Sequence, residues 1–365
     1  MFKSLLRKVR TVLPRLYADA AAVKGEDYYV AEKIEIAWGH QDDYEIIDHL
    51  GKGKYSEVHK GVNLLTLEPV VIKILKPTKP TRICRELKIL QYLEGKHNTA
   101  LLKEIVKDYA TQVPSLVLEY VDNPEPKAQI RSFTEFDIRY YIYEISKALD
   151  YCHSLGIMHR DVKTGNIMID HKLRKCRLID WGLAEFYRPN NKMSPRVATK
   201  PYKAPELLVG YEYYDYSLDS WCLGVTMAGM LFQKDPFFNG EDNDKVLFNI
   251  VNTLGSEDFN NYLAKYEIEA TGKVHKGIEK ASKKPLTKFI TQENKHLVSK
   301  EALDLLSRIL MYDHHFRLLP KDIMEHSYFD PVKEMWSVIK SGSEIPQNKD
   351  YTQTAEILRR RRLSV

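Results

Sequence analysis

His159-Arg-Asp-Val-Lys-Thr-Gly-Asn166, then an apolar run, then Leu178-Ile-Asp-Trp-Gly-Leu-Ala184: this stretch decides how the chain is read. It gathers Asp161, Lys163, Asn166 and Asp180 within about twenty residues, and its apolar runs (Ile167 to Ile169, Arg177 to Ile179) predict short strands. Phosphoryl transfer needs these groups. One carboxylate, Asp161, orients an attacking hydroxyl and takes its proton. One ammonium, Lys163, neutralises the moving phosphoryl group. An amide and a second carboxylate, Asn166 and Asp180, suit Mg²⁺, a hard cation that binds through one or two protein oxygens plus phosphates. The plain alternative is a loop of solvated charges. An ordered H-R-D-x-K-x-x-N followed by D-x-G at this spacing argues against it.

Working outward, the chain of 365 residues fits one large bilobal domain or two ordinary ones, and 44% hydrophobic residues suffice for a sizeable core. It contains no apolar run of about 18 residues, so no transmembrane helix is expected. Cys84, Cys152, Cys176 and Cys222 lie far apart, with neither C-x-x-C nor a zinc spacing, and read as free thiols in a reducing compartment. The net charge of +5 sits at the ends: residues 1–18 carry +5 and residues 331–365 carry +3, leaving −3 for the rest. A nucleic-acid binder should instead carry its positive charge on one folded face, so no specific nucleic acid is expected.

Residues 1–18 alternate basic and apolar positions, with Pro14 interrupting any helix. They read as an extension on the domain, with an organelle presequence or a membrane-surface helix as sharper alternatives. Gly51-Lys-Gly-Lys-Tyr-Ser56-Glu-Val58 lies between predicted strands. Gly51 and Gly53 allow backbone N–H groups close to a phosphate, because no Cβ intervenes; Lys52, Lys54, Tyr55 and Ser56 belong to the same turn, and Val58 would cover a flat base. In Val70-Val-Ile72-Lys73-Ile74, a lysine inside a β-branched run is costly unless paired. Glu86, in the helical-looking Arg82 to Glu94, is assigned as its partner. Leu116 to Val121 is an apolar strand entering the polar Asp122 to Pro126 stretch, which suits a hinge where backbone of Glu119 and Val121 meets a base edge. Ile72, Met168 and Ile179 complete the expected nucleotide pocket.

Beyond the hinge, Asp137 to Leu155 carries a helical apolar stripe that delivers the catalytic loop. Asp219, inside an apolar helix over 217–232, needs backbone N–H partners near His159-Arg160. Arg359 to Arg362 read as a solvated tail, with a nuclear-import or acidic-partner patch as the sharper reading. Arg361-Arg362-Leu363-Ser364 also matches the basic context that basophilic kinases prefer.

Taken together with Ala204-Pro205-Glu206, these motifs make the chain resemble a eukaryotic protein kinase over about residues 44 to 330. The runs Trp38-Gly-x-Gln-Asp-Asp-Tyr44, Lys73-Ile-Leu-Lys-Pro77, Gly156 to Lys163 and Asp180-Trp-Gly182 most resemble the casein kinase II catalytic (alpha) subunit family. The resemblance implies an α+β bilobal kinase fold: a small β-rich N-lobe with one main helix, and a larger, mainly helical C-lobe. Its parts would be a basic extension (1–23), a segment bracing the activation segment (24–43), a kinase domain (44–330, with N-lobe 44–119, hinge 119–123 and C-lobe 124–330) and a C-terminal tail (331–365). It implies an ATP-dependent serine/threonine kinase using Mg²⁺, able to use GTP as well, and residing in cytoplasm, nucleus or both. It also implies acidic Ser/Thr protein substrates, read by Arg196, Lys200 and Lys203 next to the acceptor and by Lys79, Arg82, Arg85 and Lys88 further on. A regulatory beta subunit is an implied partner, although His59 stands where the family usually has an aromatic on that subunit's face. Other departures are Thr164-Gly165 for the family's Pro-His, and Lys200-Pro201-Tyr202 for Arg-Tyr-Phe. Pro80, Thr81 and Cys84 stand where lysines are usual. The rival from another class, a pseudokinase scaffold, typically lacks one of Lys73, Asp161, Asn166 and Asp180, all present here.

Overall fold

The computed structural model describes residues 12–269 and 280–363. Most of the basic 1–18 stretch and Ser364 therefore lie outside the described residues.

Alternating apolar residues and Gly-bearing turns build a five-stranded antiparallel sheet in the order β1-β2-β3-β5-β4: β1 (Tyr44–Lys52), β2 (Ser56–Asn63), β3 (Pro69–Leu75), β4 (Leu102–Lys107) and β5 (Pro114–Glu119). Helix α1 (Pro80–Leu93) follows β3, starting with proline in its first turn, where a missing N–H costs nothing. The register pairs Val58 with Lys73 and Lys73 with Leu116, so the lysine sits mid-sheet. Residues alternate faces along a strand. Val70, Ile72, Val106 and Val117 therefore form a small apolar cluster on one face, while Val71 and Lys73 face the inter-lobe cleft.

After the short helix α2 (Pro126–Arg131) comes α3 (Glu135–Ser154), opened by a capping box between Thr134 and Asp137. Such a cap is worth about 1 kcal/mol. Its stripe, with Ile138, Tyr141, Ile142, Ile145, Leu149 and Cys152 all buried, runs through the core of the helical lobe. The strands expected after the catalytic loop form as β7 (Ile167–Asp170) and β8 (Lys175–Leu178), while β6 (Ile157–Met158) pairs with β9 (Glu185–Phe186). Helix α4 (Ser217–Leu231) is buried along its whole length. Helices α5 (Asn243–Leu254), α6 (Ser256–Lys265) and α7 (Lys300–Ile309) follow it in the chain, and α7 packs against it. All four cysteines are free.

Both flanking segments lie on the domain. Arg15 donates to Asp322 at 2.7 Å, and the Tyr17 hydroxyl to Asp150 at 3.0 Å. The C-terminal stretch 331–363, whose Arg359 to Arg362 read as a solvated tail, forms most of α8 (Asp330–Ser341) and all of α9 (Thr352–Leu363). Val332, Met335 and Ile339 are spaced along one buried face of α8, Tyr351, Ala355 and Leu358 are buried at α9, and burying them outweighs the charged composition. Arg359 is not free in solvent either: it donates to the Val338 and Ser343 carbonyls. Among the described residues no helix is long and apolar enough to cross a membrane.

Candidate active site

The cleft between the lobes is a cavity of about 690 Å³. Its roof holds Gly51, Lys52, Gly53, Ser56 and Val58, its back Lys73 and Glu86, its hinge side Glu119 and Val121, and its floor Asn166, Met168, Ile179 and Asp180. Leu50, Val71, Leu101 and Asn123 also line it and were not picked from the sequence; counting two residues back from Lys73 would have found Val71. The same count corrects Ile72, which the strand's alternation turns into the cluster on the far face. Lys54 and Tyr55 do not line the cavity. Tyr55 faces away from it, with the Arg82 guanidinium 3.4 Å from its ring centroid and the Lys54 ammonium 5.1 Å away.

Lys73 is buried, and its ammonium lies 2.7 Å from Glu86 and 2.8 Å from Asp180. Burial pulls its pKa down, but the two carboxylates outweigh that and hold it above the usual lysine range. Burial likewise pushes the Asp180 carboxyl up, and Lys73 more than reverses it. Asp180 sits in the left-handed region at φ 60°, a conformation costly for a non-glycine residue. Its neighbours over-determine that turn: the Trp181 indole donates to the Leu178 carbonyl at 3.2 Å, and the Trp181 ring meets His159 edge-on at 4.6 Å. A Cβ at Gly182 would stand 3.1 Å from Glu86 Oε2, so glycine is what lets the turn reach α1.

Asp219 behaves as its burial inside an apolar helix demanded. It accepts from the backbone N–H of His159 at 2.8 Å and of Arg160 at 2.7 Å, and pairs with His153 at 2.9 Å. The catalytic loop is thereby fixed to α4. Asp161 then receives Lys163 at 2.8 Å on one oxygen and the Thr199 N–H and hydroxyl, each at 2.7 Å, on the other. The Asn166 amide nitrogen donates to the Asp161 carbonyl at 2.8 Å, which turns its oxygen the other way. Asn166 and Asp180 line one cavity and offer hard oxygen donors of the kind Mg²⁺ takes. Among the described residues no cluster of three His, Cys, Asp or Glu offers an all-protein metal cage.

Arg85, Arg160 and Arg196 line a second cavity of about 540 Å³ beside the activation segment, together with Tyr55, Arg82 and Glu185. Glu185 lies 2.7 Å from Arg85 and 3.6 Å from Arg160, which leaves Arg196 as the arginine of that trio without an acidic partner among the described residues. Two expected substrate-reading lysines are committed elsewhere. Lys88 is 2% exposed and donates to the carbonyls of Asp27, Val30 and Lys33 at 2.6–2.7 Å, so it ties the N-terminal segment to α1. Lys203 is buried and donates to the Val197 carbonyl at 2.6 Å, closing its own loop. Orphan carbonyls recruit these ammonium groups, which a count of charges along the chain does not foresee. Lys200 stays exposed and donates to the Glu241 carbonyl; Lys79 stays exposed at the start of α1.

Residues 44–329 match the family model of the protein kinase domain. The chain belongs to the protein kinase family. In these kinase terms, the five-stranded sheet with α1 is the N-lobe, the helical part is the C-lobe, and the cleft is where ATP binds. The chain is a phosphotransferase by family.

Proposed function

We propose that this chain is a serine/threonine kinase of the casein kinase II catalytic-subunit type, acting on acidic sequence contexts. The observation that carries the phosphotransfer reading is the intact constellation: Lys73 paired with Glu86 at 2.7 Å, with Asp161, Lys163, Asn166 and Asp180 around one cleft. Backbone from Gly51 to Ser56 covers the phosphates, and Lys73 takes the α- and β-phosphates. Asn166 and Asp180 would hold Mg²⁺, which when bound would neutralise charge on the phosphate oxygens. Asp161 orients the acceptor hydroxyl and receives its proton, acting more by position than by basicity. Lys163, beside Asp161, meets the γ-phosphate. GTP use, a beta subunit seated on the outer N-lobe near His59, and a cytoplasmic or nuclear site of action belong to the same reading. Labelled-ATP transfer onto a degenerate peptide library, run beside Asp161→Asn, tests it: phosphate on acidic Ser/Thr peptides from wild type alone is expected, and tyrosine labelling or no transfer overturns it.

The enzyme is expected to be active without phosphate on its activation segment. Arg160 already has partners: the Leu183 carbonyl at 2.8 Å, the Tyr214 hydroxyl at 3.0 Å and Glu185 at 3.6 Å. Residues of the 24–43 segment reach the activation segment directly, with Tyr28 stacked on Tyr92 at 4.4 Å and edge-on to Phe186 at 5.4 Å. Protein made without any other kinase, and phosphate-free by mass spectrometry, should transfer phosphate at once. Inactivity until Ser194 or Thr199 is modified contradicts the idea.

Acidic preference should rest on Arg196 and Lys200 more than on the distal set, because Arg82 is stacked on Tyr55 and Lys88 is buried. Each exposed pairing is worth only about 0.2–1 kcal/mol and is screened by salt. Arg196→Glu with Lys200→Glu is therefore expected to lower the acidic-to-basic peptide ratio about tenfold at low salt and less at high salt. An unchanged ratio places substrate choice elsewhere.

A further inference from the structure

Thr164 and Tyr202 meet at one carboxylate. The Thr164 hydroxyl donates to Asp235 Oδ2 at 2.7 Å, and the Tyr202 hydroxyl to Asp235 Oδ1 at 2.5 Å. The two hydroxyls are themselves 3.1 Å apart. The trio joins three separate pieces of chain: the catalytic loop, the turn Lys200–Tyr202 of the activation segment, and the loop leaving α4. Asp235 has no cationic partner among the described residues, so the two hydroxyls are its protein partners there. Hydroxyl-to-carboxylate bonds of this length are charge-assisted and about twice as strong as neutral ones.

We propose that this trio is a latch, with Thr164, Tyr202 and Asp235 as positioning residues that hold the peptide-docking turn against the catalytic loop. The inference rests on the protein-kinase reading of the cleft. The turn at Lys200–Tyr202 is held at both ends: at one by Thr199 on Asp161, at the other by Tyr202 on Asp235. The first tie reaches the reacting carboxylate. The second reaches no group assigned to ATP or metal, so it acts on where the peptide lies rather than on chemistry. A cavity of about 660 Å³ opens beside it, lined by Thr164, Gly165, Asp235, Lys127 and Arg131 and sharing Gly165 with the nucleotide cleft. A peptide lying between the acceptor position and that cavity would cross the latch. Valine at 164 and phenylalanine at 202 would carry no hydroxyl, so the carboxylate is held from both sides only while both native side chains are present.

The test uses the full chain, comparing Thr164→Val, Thr164→Ser, Tyr202→Phe and the Val/Phe double variant. Loosening the latch lowers the fraction of enzyme with a competent docking turn, and apparent affinity falls by that fraction. Thr164→Val and Tyr202→Phe are each expected to raise the peptide KM about three- to tenfold, with kcat and the KM for ATP within about twofold. The double variant should lose no more than the worse single one, because the trio acts as a unit. Thr164→Ser should behave as wild type. Amide hydrogen exchange over residues 199–203, measured without nucleotide, should quicken in Thr164→Val and not in Thr164→Ser. Unchanged peptide KM in both single variants, additive losses, a serine variant as poor as valine, or unchanged exchange overturns the latch. A wild-type protein that transfers no phosphate refutes the kinase reading instead, and the exchange measurement still decides the latch.

Discussion

Asp180→Asn is expected to leave the fold intact and to lower Mg²⁺-dependent kcat/KM by about a thousandfold or more. Two losses coincide. An amide is a poorer ligand than a carboxylate for a hard dication. Lys73 also loses one of its two carboxylates, the one 2.8 Å away, and keeps only Glu86 at 2.7 Å. The turn itself should survive, since it is held by the Trp181–Leu178 hydrogen bond and the close fit of Gly182 against Glu86. Lys73→Met should act differently. It strands Glu86 and Asp180 without their shared cation, so it should weaken productive nucleotide binding and cost stability as well. Steady-state kinetics across Mg²⁺ concentrations, with thermal unfolding of each variant, check both. Near-wild-type kcat/KM in either variant refutes the assigned roles.

Arg317→Met is expected to destabilise the C-lobe by about 3–5 kcal/mol, a large share of the roughly 5–15 kcal/mol that a domain holds in total. Arg317 and Glu206 are both fully buried and lie 2.9 Å apart. The guanidinium also donates to the carbonyls of Ser217 at 2.8 Å and Met311 at 2.9 Å, so it joins the end of the activation segment to the start of α4. Removing it leaves a bare buried carboxylate, whereas replacing both partners by apolar residues should cost less. Burial pushes the Glu206 carboxyl up, and Arg317 outweighs that and holds it below its ordinary value of 4.5. A depressed folded pKa means the pair's contribution is fully present above the unfolded value and is lost as pH falls through the folded one. The stability gap between wild type and Glu206→Gln, measured by denaturant unfolding, should therefore be constant near neutrality and narrow below about pH 4. A gap independent of pH in that range contradicts the assignment.

Local order carried much of this protein. The spacing of His159 to Asn166 and Asp180 to Gly182, the Lys73-bearing strand, and the apolar stripe of α3 are each contained in a few consecutive residues. Their chemistry depends on which residues are neighbours in the chain, and such patterns survive without knowledge of the fold. Asp219 was legible too, because a carboxylate inside a wholly apolar helix must find donors, and the motif next to the reacting groups supplied the nearest ones.

Other features were decided only by chain segments far apart in sequence. Lys88 and Lys203 look like surface cations until the fold brings unpaired carbonyls of residues 27–33 and of Val197 against them. Ile72 and Val71 are equally apolar, and only the register that puts Lys73 opposite Val58 says which one faces the cleft. The charged C-terminal stretch became two docked helices because burying their apolar residues outweighs its mean polarity, a gain visible only once the C-lobe surface beneath it exists. The Thr164–Asp235–Tyr202 trio joins residues up to 71 positions apart. A hydroxyl or a carboxylate carries no sequence mark of its partner, because hydrogen bonds select by distance and angle, and those are properties of the folded chain alone.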